Sequence, residues 1–238
     1  MPMFYYFDWS YVVLVLPALI LAMYAQGKVS STFNKYSRVP NHVGITGAEA
    51  ARRIMEMNGI YDVSIERVSG NLTDHYDPSK KVLRLSDSVY SSTSIAAVGV
   101  AAHETGHAIQ HARGYAPLSL RSLMVPLANI GSRLAMPLIL LGIIFGFASS
   151  MGDSLIYLGI ILFGLSVLFT IVTLPVEFNA SKRAIACLED SRILYENEIG
   201  GAKKVLSAAA MTYVASTAVA VANMLRLIIL FGGRRRND

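Results

Sequence analysis

The chain has 238 residues, 53% of them hydrophobic and 16% charged, with a mean hydropathy of +0.46. A composition this apolar and charge-poor excludes an ordinary water-soluble domain. The formal net charge of +5 reads as loop charge beside a lipid bilayer, and no nucleic-acid partner is expected.

Four stretches carry no Asp, Glu, Lys or Arg: 9–27, 134–152, 154–176 and 205–225. Each is about as long as a helix that crosses a bilayer. The first expected span is residues 9–26. No basic segment precedes it and no small-residue cleavage site follows, so it reads as a retained anchor. Trp9, Tyr11 and Tyr24 sit near its two ends, and Pro17 predicts a mild kink. Lys28, Lys35 and Arg38 follow at once, which places that side in the cytoplasm by the positive-inside trend.

Residues 38–117 form the one long polar region, an α+β segment. Residues 47–59 read as a helix capped by Thr46 and ended by Asn58-Gly59. Strands are expected at 63–68, at 72–76 and, after the turn Asp77-Pro78-Ser79-Lys80, at 82–85. A helix over 94–113 follows, stopped by Gly114 and Pro117. It contains His103-Glu104-Thr105-Gly106-His107, the H-E-x-x-H pattern. Residues four apart share one helical face, so His103 and His107 can both aim a ring nitrogen at one zinc ion. Glu104 lies about 100° further round the axis, where it reaches a metal-bound water as general base without being a ligand. The apolar residues 95–102 ahead of the motif bury these polar groups, which then need partners.

A second span is expected over 123–148. Asn129 and Arg133 at its start either face the site or snorkel to head groups. The third covers 154–175, with Gly142, Gly146, Gly159 and Gly164 permitting close helix contact. It delivers a helix over 176–200 that begins Val176-Glu177. Two histidines need a third protein ligand. Glu177 is the candidate, because two crossings return it to the histidines' side. The competing readings are Glu177 as a solvated helix-start carboxylate and His111 as the third ligand. A straight helix cannot wrap three histidines round one ion, which leaves His111 in a supporting or core role. His42 and His75 stand outside any ligand spacing. The last stretch, 203–231, is helical. It either spans or lies against the bundle, since Arg226 and Arg234-Arg235-Arg236 oppose the positive-inside trend. Cys187, the single cysteine, excludes an intrachain disulfide and reads as a packing residue.

Residues 72–78 (Leu-Thr-Asp-His-Tyr-Asp-Pro), 83–86 (Leu-Arg-Leu-Ser), 99–110 and 177–181 (Glu-Phe-Asn-Ala-Ser) together resemble the YugP-type family of bacterial membrane zinc metallopeptidases. More distantly, the layout is similar to the HtpX and CAAX-processing Ste24 proteases. The resemblance implies one zinc ion per chain held by His103, His107 and Glu177, with Glu104 as base. It also implies an edge strand around Leu72, Thr73, Asp74, His75 and Tyr76 on which an extended peptide lies. The distant relatives carry E-x-x-x-D where this chain has Glu177 and Ser181, so a serine stands where a carboxylate would orient a ligand histidine.

The expected fold is an α-helical membrane protein with three to four transmembrane helices. It carries a small α+β gluzincin-like metalloprotease domain with a short antiparallel β-sheet before the zinc helix. The expected function is a membrane-embedded zinc endopeptidase of the bacterial plasma membrane, its active site facing the cytoplasm, acting on membrane or misfolded proteins. The alternative is a non-catalytic scaffold or chaperone with a structural zinc site. Protein substrate and lipid bilayer are the expected partners, and a homo-oligomer is left open.

Overall fold

The computed structural model describes residues 8–146 and 149–232. The aromatic N-terminal residues 1–7, the expected end of the second span at 147–148 and the arginine run 234–236 lie outside the described residues. In chain order the elements are α1 (Leu16–Tyr36), α2 (Gly47–Met57), β1 (Ser64–Val68), β2 (His75–Asp77), β3 (Val82–Ser86), α3 (Asp87–Tyr90), α4 (Ile95–Ala112), α5 (Ala116–Ile144), α6 (Ser150–Ser191) and α7 (Glu196–Gly232). Four helical segments are long and apolar enough to cross a membrane: Tyr11–Tyr36, α5, α6 and α7.

The chain divides into two compact units. One comprises Ala25–Ser119 with Leu174–Thr212; the other comprises the described parts of Met1–Tyr24, Leu120–Thr173 and Tyr213–Asp238. The second unit is helical. A π-helical turn, Tyr11–Val15, precedes α1. Pro17 has no N–H to offer the Val13 carbonyl, so the disturbance expected of it takes the form of this wider turn. Arg226 of α7 donates through Nε to Asp8 at 2.6 Å and lies over the Tyr11 ring, 5.5 Å from its centroid. The pairing explains how an arginine is tolerated in an apolar helix. Val15 and Ala18 of the first span pack against Ala222 of α7.

Close contact of α5 with α6 is made by glycines, as expected at two of four positions. A Cβ at Gly142 would stand 2.6 Å from the Gly152 carbonyl oxygen, and one at Gly159 would stand 2.8 Å from that of Ala135. Gly131, not anticipated, is tighter still, at 2.4 Å from the Leu162 oxygen. Gly146 instead serves the turn, with φ +87° and open space around it, and Gly164 meets only the Met224 methyl at ordinary contact distance. Asn129 and Arg133 are both exposed on α5.

The first unit holds the α+β region. Thr46 and Glu49 form a reciprocal capping box at the start of α2. Ser94 caps α4, its hydroxyl accepting from the Ala97 N–H at 3.2 Å. At the other end of α4, Gly114 at φ +62° allows a Schellman closure. Its N–H bonds the His111 carbonyl and that of Tyr115 bonds the Gln110 carbonyl. Ile54, Leu83, Leu85, Val98, Leu188 and Ile193 fill the core.

The sheet corrects one expectation. It is mixed, in the order β1-β3-β2. β2 pairs with β3 antiparallel as expected, but β1 pairs with β3 parallel. The cause lies in the loop after β1. Arg67 donates to Asp87 at 2.6 Å, the Gly70 N–H bonds the same carboxylate, and Asp74 accepts from the Ser86 N–H and hydroxyl at 2.7 and 2.8 Å. The loop is thereby pinned across the end of β3, and the chain descends on β3's far side. β2 is also shorter than expected. Leu72 adopts φ 55°, outside extended geometry, and only His75–Asp77 are strand.

α6 passes through Pro175 without a break and ends at Ser191. Arg192 then takes φ 52°, and α7 begins at Glu196, so the expected 176–200 helix is the tail of α6 and the start of α7.

Candidate metal centre

Every side chain of the centre belongs to the first unit. α4 is buried along most of its length, so its polar residues point into protein. His103 and His107 lie one turn apart on it, with their rings edge to face and centroids 4.9 Å apart. The tail of α6 crosses close by. A Cβ on Gly106 would stand 2.6 Å from the Ala180 carbonyl oxygen, and no side chain fits there without displacement. That approach brings Glu177, only 2% exposed, between the imidazoles. Its Oε2 lies 3.2 Å from His103 Nε2 and 3.5 Å from His107 Nε2. One donor atom from each of the three lies within 4.8 Å of the others.

Both histidines are held through their other nitrogen. Ser181 Oγ lies 3.1 Å from His103 Nδ1. Gln110, fully buried, places Oε1 3.0 Å from His107 Nδ1. Its Nε2 donates to the Val176 carbonyl at 2.8 Å and to Asn179 Oδ1 at 3.0 Å. Arg183 Nε donates to the same Asn179 oxygen at 2.7 Å. With Gln110 accepting, His107 carries its proton on Nδ1 and leaves the Nε2 lone pair facing Glu177. Burial disfavours charge on His107, yet the Glu177 carboxylate, the Glu104 charge and Gln110 together raise its pKa above the usual value. A cation entering the site displaces the second proton, at Nε2, and leaves the one at Nδ1 in place.

Glu104 is half-buried on the turn beside the histidines. Asp74, from the loop before β2, feels its charge. Burial raises the Asp74 pKa first, the Ser86 donors oppose this, and Glu104 adds to the rise. Of the five residues expected to line a substrate edge, His75 and Tyr76 lie in β2, an edge strand. Asp74 is tied to Ser86, Thr73 bonds the Ser69 carbonyl, and Leu72 is exposed in the loop. His111 does not join the three-residue group. Its Nδ1 is 2.7 Å from the Tyr76 hydroxyl, whose pKa burial pushes up to about 12, with Asp62 and Asp77 contributing. His42 pairs with Glu198, and His75 Nδ1 lies 2.9 Å from the Thr73 carbonyl oxygen.

A family model described as "Putative neutral zinc metallopeptidase" matches residues 11–232. The chain belongs to this zinc metallopeptidase family. It is also 48% identical over 228 residues to "Putative membrane protease YugP" of Bacillus subtilis (strain 168), a match spanning 95% of this chain and 99% of that protein. No solved structure matches the chain. The family name implies zinc, and the donor set fits it. Ligands about 2.0–2.2 Å from a tetrahedral ion stand roughly 3.3–3.5 Å apart. The Glu177 oxygen, 3.2 and 3.5 Å from the two imidazole nitrogens, is close to that spacing. Two neutral imidazoles and one carboxylate also form a recognised catalytic zinc donor set.

Gln110 and Asn179 were not singled out from the sequence as parts of the centre. The available signal was a glutamine three residues after His107 in the motif helix, whose residues 95–102 are apolar.

Proposed function

We propose that the protein is a membrane-embedded zinc endopeptidase of the gluzincin type, and that His103, His107 and Glu177 hold the ion. The observation that carries the reading is the convergence of these three donors with Glu104 one residue along the same helix. Bound there, zinc supplies Lewis acidity, polarising a scissile carbonyl and acidifying a water. Glu104 takes the proton of the attacking water and delivers it to the leaving amine. Ser181 and Gln110 keep both imidazoles in the tautomer that presents Nε2. The β2 edge and the loop before it, Leu72 to Tyr76, receive an extended segment of a membrane or misfolded protein.

Three protein donors also favour catalysis over a structural role, since a structural zinc is normally closed by four. The expected location is a bacterial plasma membrane. Lys28, Lys35 and Arg38 beyond the first span support a cytoplasm-facing centre.

The test is cleavage of an unfolded protein by the purified full chain, parent against Glu104→Gln, with zinc content measured alongside. The substitution keeps size and ligands, so zinc stays near one per chain while cleavage falls by about 10² to 10⁴-fold. A zinc-loaded variant cleaving at the parental rate removes Glu104 from the mechanism. A parent that binds zinc and cleaves nothing returns the protein to the scaffold reading.

A further inference from the structure

A cavity of about 700 Å³ opens between α1 and α7, within the first unit. Its walls are two helical stripes. α1 contributes Lys28, Ser31, Thr32, Lys35 and Tyr36, whose ring lies 5.5 Å from the Lys35 ammonium, and α7 contributes Gly200, Lys203, Lys204, Ser207, Ala208 and Met211. Both series follow the i, i+3, i+4, i+7 spacing of a single helix face. The two faces are therefore opposed along about two turns.

The lining contains four lysines and no acidic residue. Lys203 is paired with Glu189 at 2.8 Å. Among the described residues, Lys28, Lys35 and Lys204 have no acidic partner, and the Thr32 and Ser207 hydroxyls make no hydrogen bond. Small residues at Gly200, Ser207 and Ala208 leave the space open. Three uncompensated ammonium groups and two free hydroxyls around one cavity form a donor set for a phosphate.

The level of the cavity selects the source of that phosphate. Lys28 is the first charge after the charge-free run 9–27 on α1, and Lys204 is the last before the charge-free run 205–225 on α7. Both spans thus begin at the cavity's edge, the depth at which a bilayer places its phosphodiester groups. Basic clusters between helices at this depth suit anionic head groups. We infer that the α1–α7 cavity is a binding site for the phosphodiester head group of an anionic phospholipid, seated by Lys28, Lys35 and Lys204. The inference is independent of the peptidase reading, since no residue of the metal centre lines the cavity.

The test uses the full chain in detergent and native mass spectrometry. The probes are phosphatidylglycerol, phosphatidylcholine and inorganic phosphate. The parent should retain one phosphatidylglycerol per chain and not phosphatidylcholine, and millimolar phosphate should not displace it. Each Lys→Gln change should weaken retention about fivefold, and Lys28→Gln/Lys35→Gln/Lys204→Gln together by on the order of a hundredfold. Ser207→Leu, which fills the cavity without altering charge, should also weaken it. The control Arg52→Gln/Arg53→Gln/Lys80→Gln, equal in charge change but elsewhere on the surface, should match the parent. Undiminished retention in the lysine triple variant overturns the site. Equal loss in the control reduces it to bulk charge, and displacement by phosphate assigns the cavity to a free anion; either result overturns the lipid assignment.

Discussion

Gly106 of α4 packs directly against the backbone of Ala180 of α6, and a single added methyl would stand 2.6 Å from the Ala180 carbonyl oxygen. That contact sets the separation of the histidine helix from the carboxylate helix. Gly106→Ala should force the helices apart, lowering stability by about 1–3 kcal/mol, the usual cost of overpacking. It should weaken zinc binding even though no donor is altered. Metal titration and thermal unfolding of the same preparation check this. Parental zinc affinity in a folded Gly106→Ala protein would show that helix spacing does not control the centre.

The proposed donor set predicts a ranking. Glu177→Gln replaces a carboxylate with a poor ligand and should lose most of the zinc. His111→Ala should keep it, because His111 is engaged with the Tyr76 hydroxyl at 2.7 Å. Metal analysis of the two purified variants decides between them, and the reverse order would assign the third ligand to His111.

Gln110 acts through His107. Gln110→Leu removes the acceptor at Nδ1 and the donor to the Val176 carbonyl, and leaves Asn179 Oδ1 to Arg183 alone. Zinc affinity should drop about 10- to 100-fold, the range typical for groups that orient a metal ligand. Gln110→Glu keeps the acceptor and should retain more affinity than the leucine variant. Competition with a chelating dye measures both. Identical losses in the two would point to a packing role alone.

Asp77 offers a pH signature at the hairpin that carries the β2 edge. Donation from the Ser79 hydroxyl, joined by the Lys80 and Ser79 N–H groups and Arg84, outweighs the opposing effect of burial and lowers its pKa from 3.8 to about 2. A carboxylate depressed on folding stabilises above its unfolded pKa and loses that contribution as pH falls through the folded one. Hydrogen exchange of hairpin amides should therefore be slower in the parent than in Asp77→Asn at pH 5. The difference should shrink steadily between about pH 4 and pH 2. A difference that is constant with pH would remove the charge from the explanation.

Orientation is testable without activity. Ser79→Cys lies in the polar α+β region and Ser150→Cys at the opposite end of the third span. In whole cells an impermeant thiol reagent should label the cysteine at 150 and spare the one at 79. The opposite labelling would invert the proposed topology.

The local parts of this molecule were legible in the sequence. The His103–His107 spacing, the Thr46 cap and the Gly114 stop are each decided within one or two helical turns. Glu177 could be proposed because the number of crossings is visible in the charge-free runs. Gln110 could not, since a glutamine on a helix has no local pattern that reveals which buried group it serves. The parallel pairing of β1 with β3 was equally hidden. It follows from Asp74 and Asp87 fastening the loop over the end of β3, a choice among partners that strand periodicity does not encode. Pro17 announced a disturbance, but the backbone alone settled that it would be a π-helical turn.

The donors do not reach the centre together during synthesis. His103 and His107 emerge with the polar region, whereas Glu177 follows 70 residues after His107, at the far end of a helical hairpin that must first be inserted. In the proposed ligand set a nascent chain therefore carries only two of three donors until its second and third spans are in the bilayer. A peptidase assembled in this order stays inert while it is being made. Metal capture then coincides with completed insertion, and a chain that stalls part-way through the membrane is left without the power to cut its neighbours.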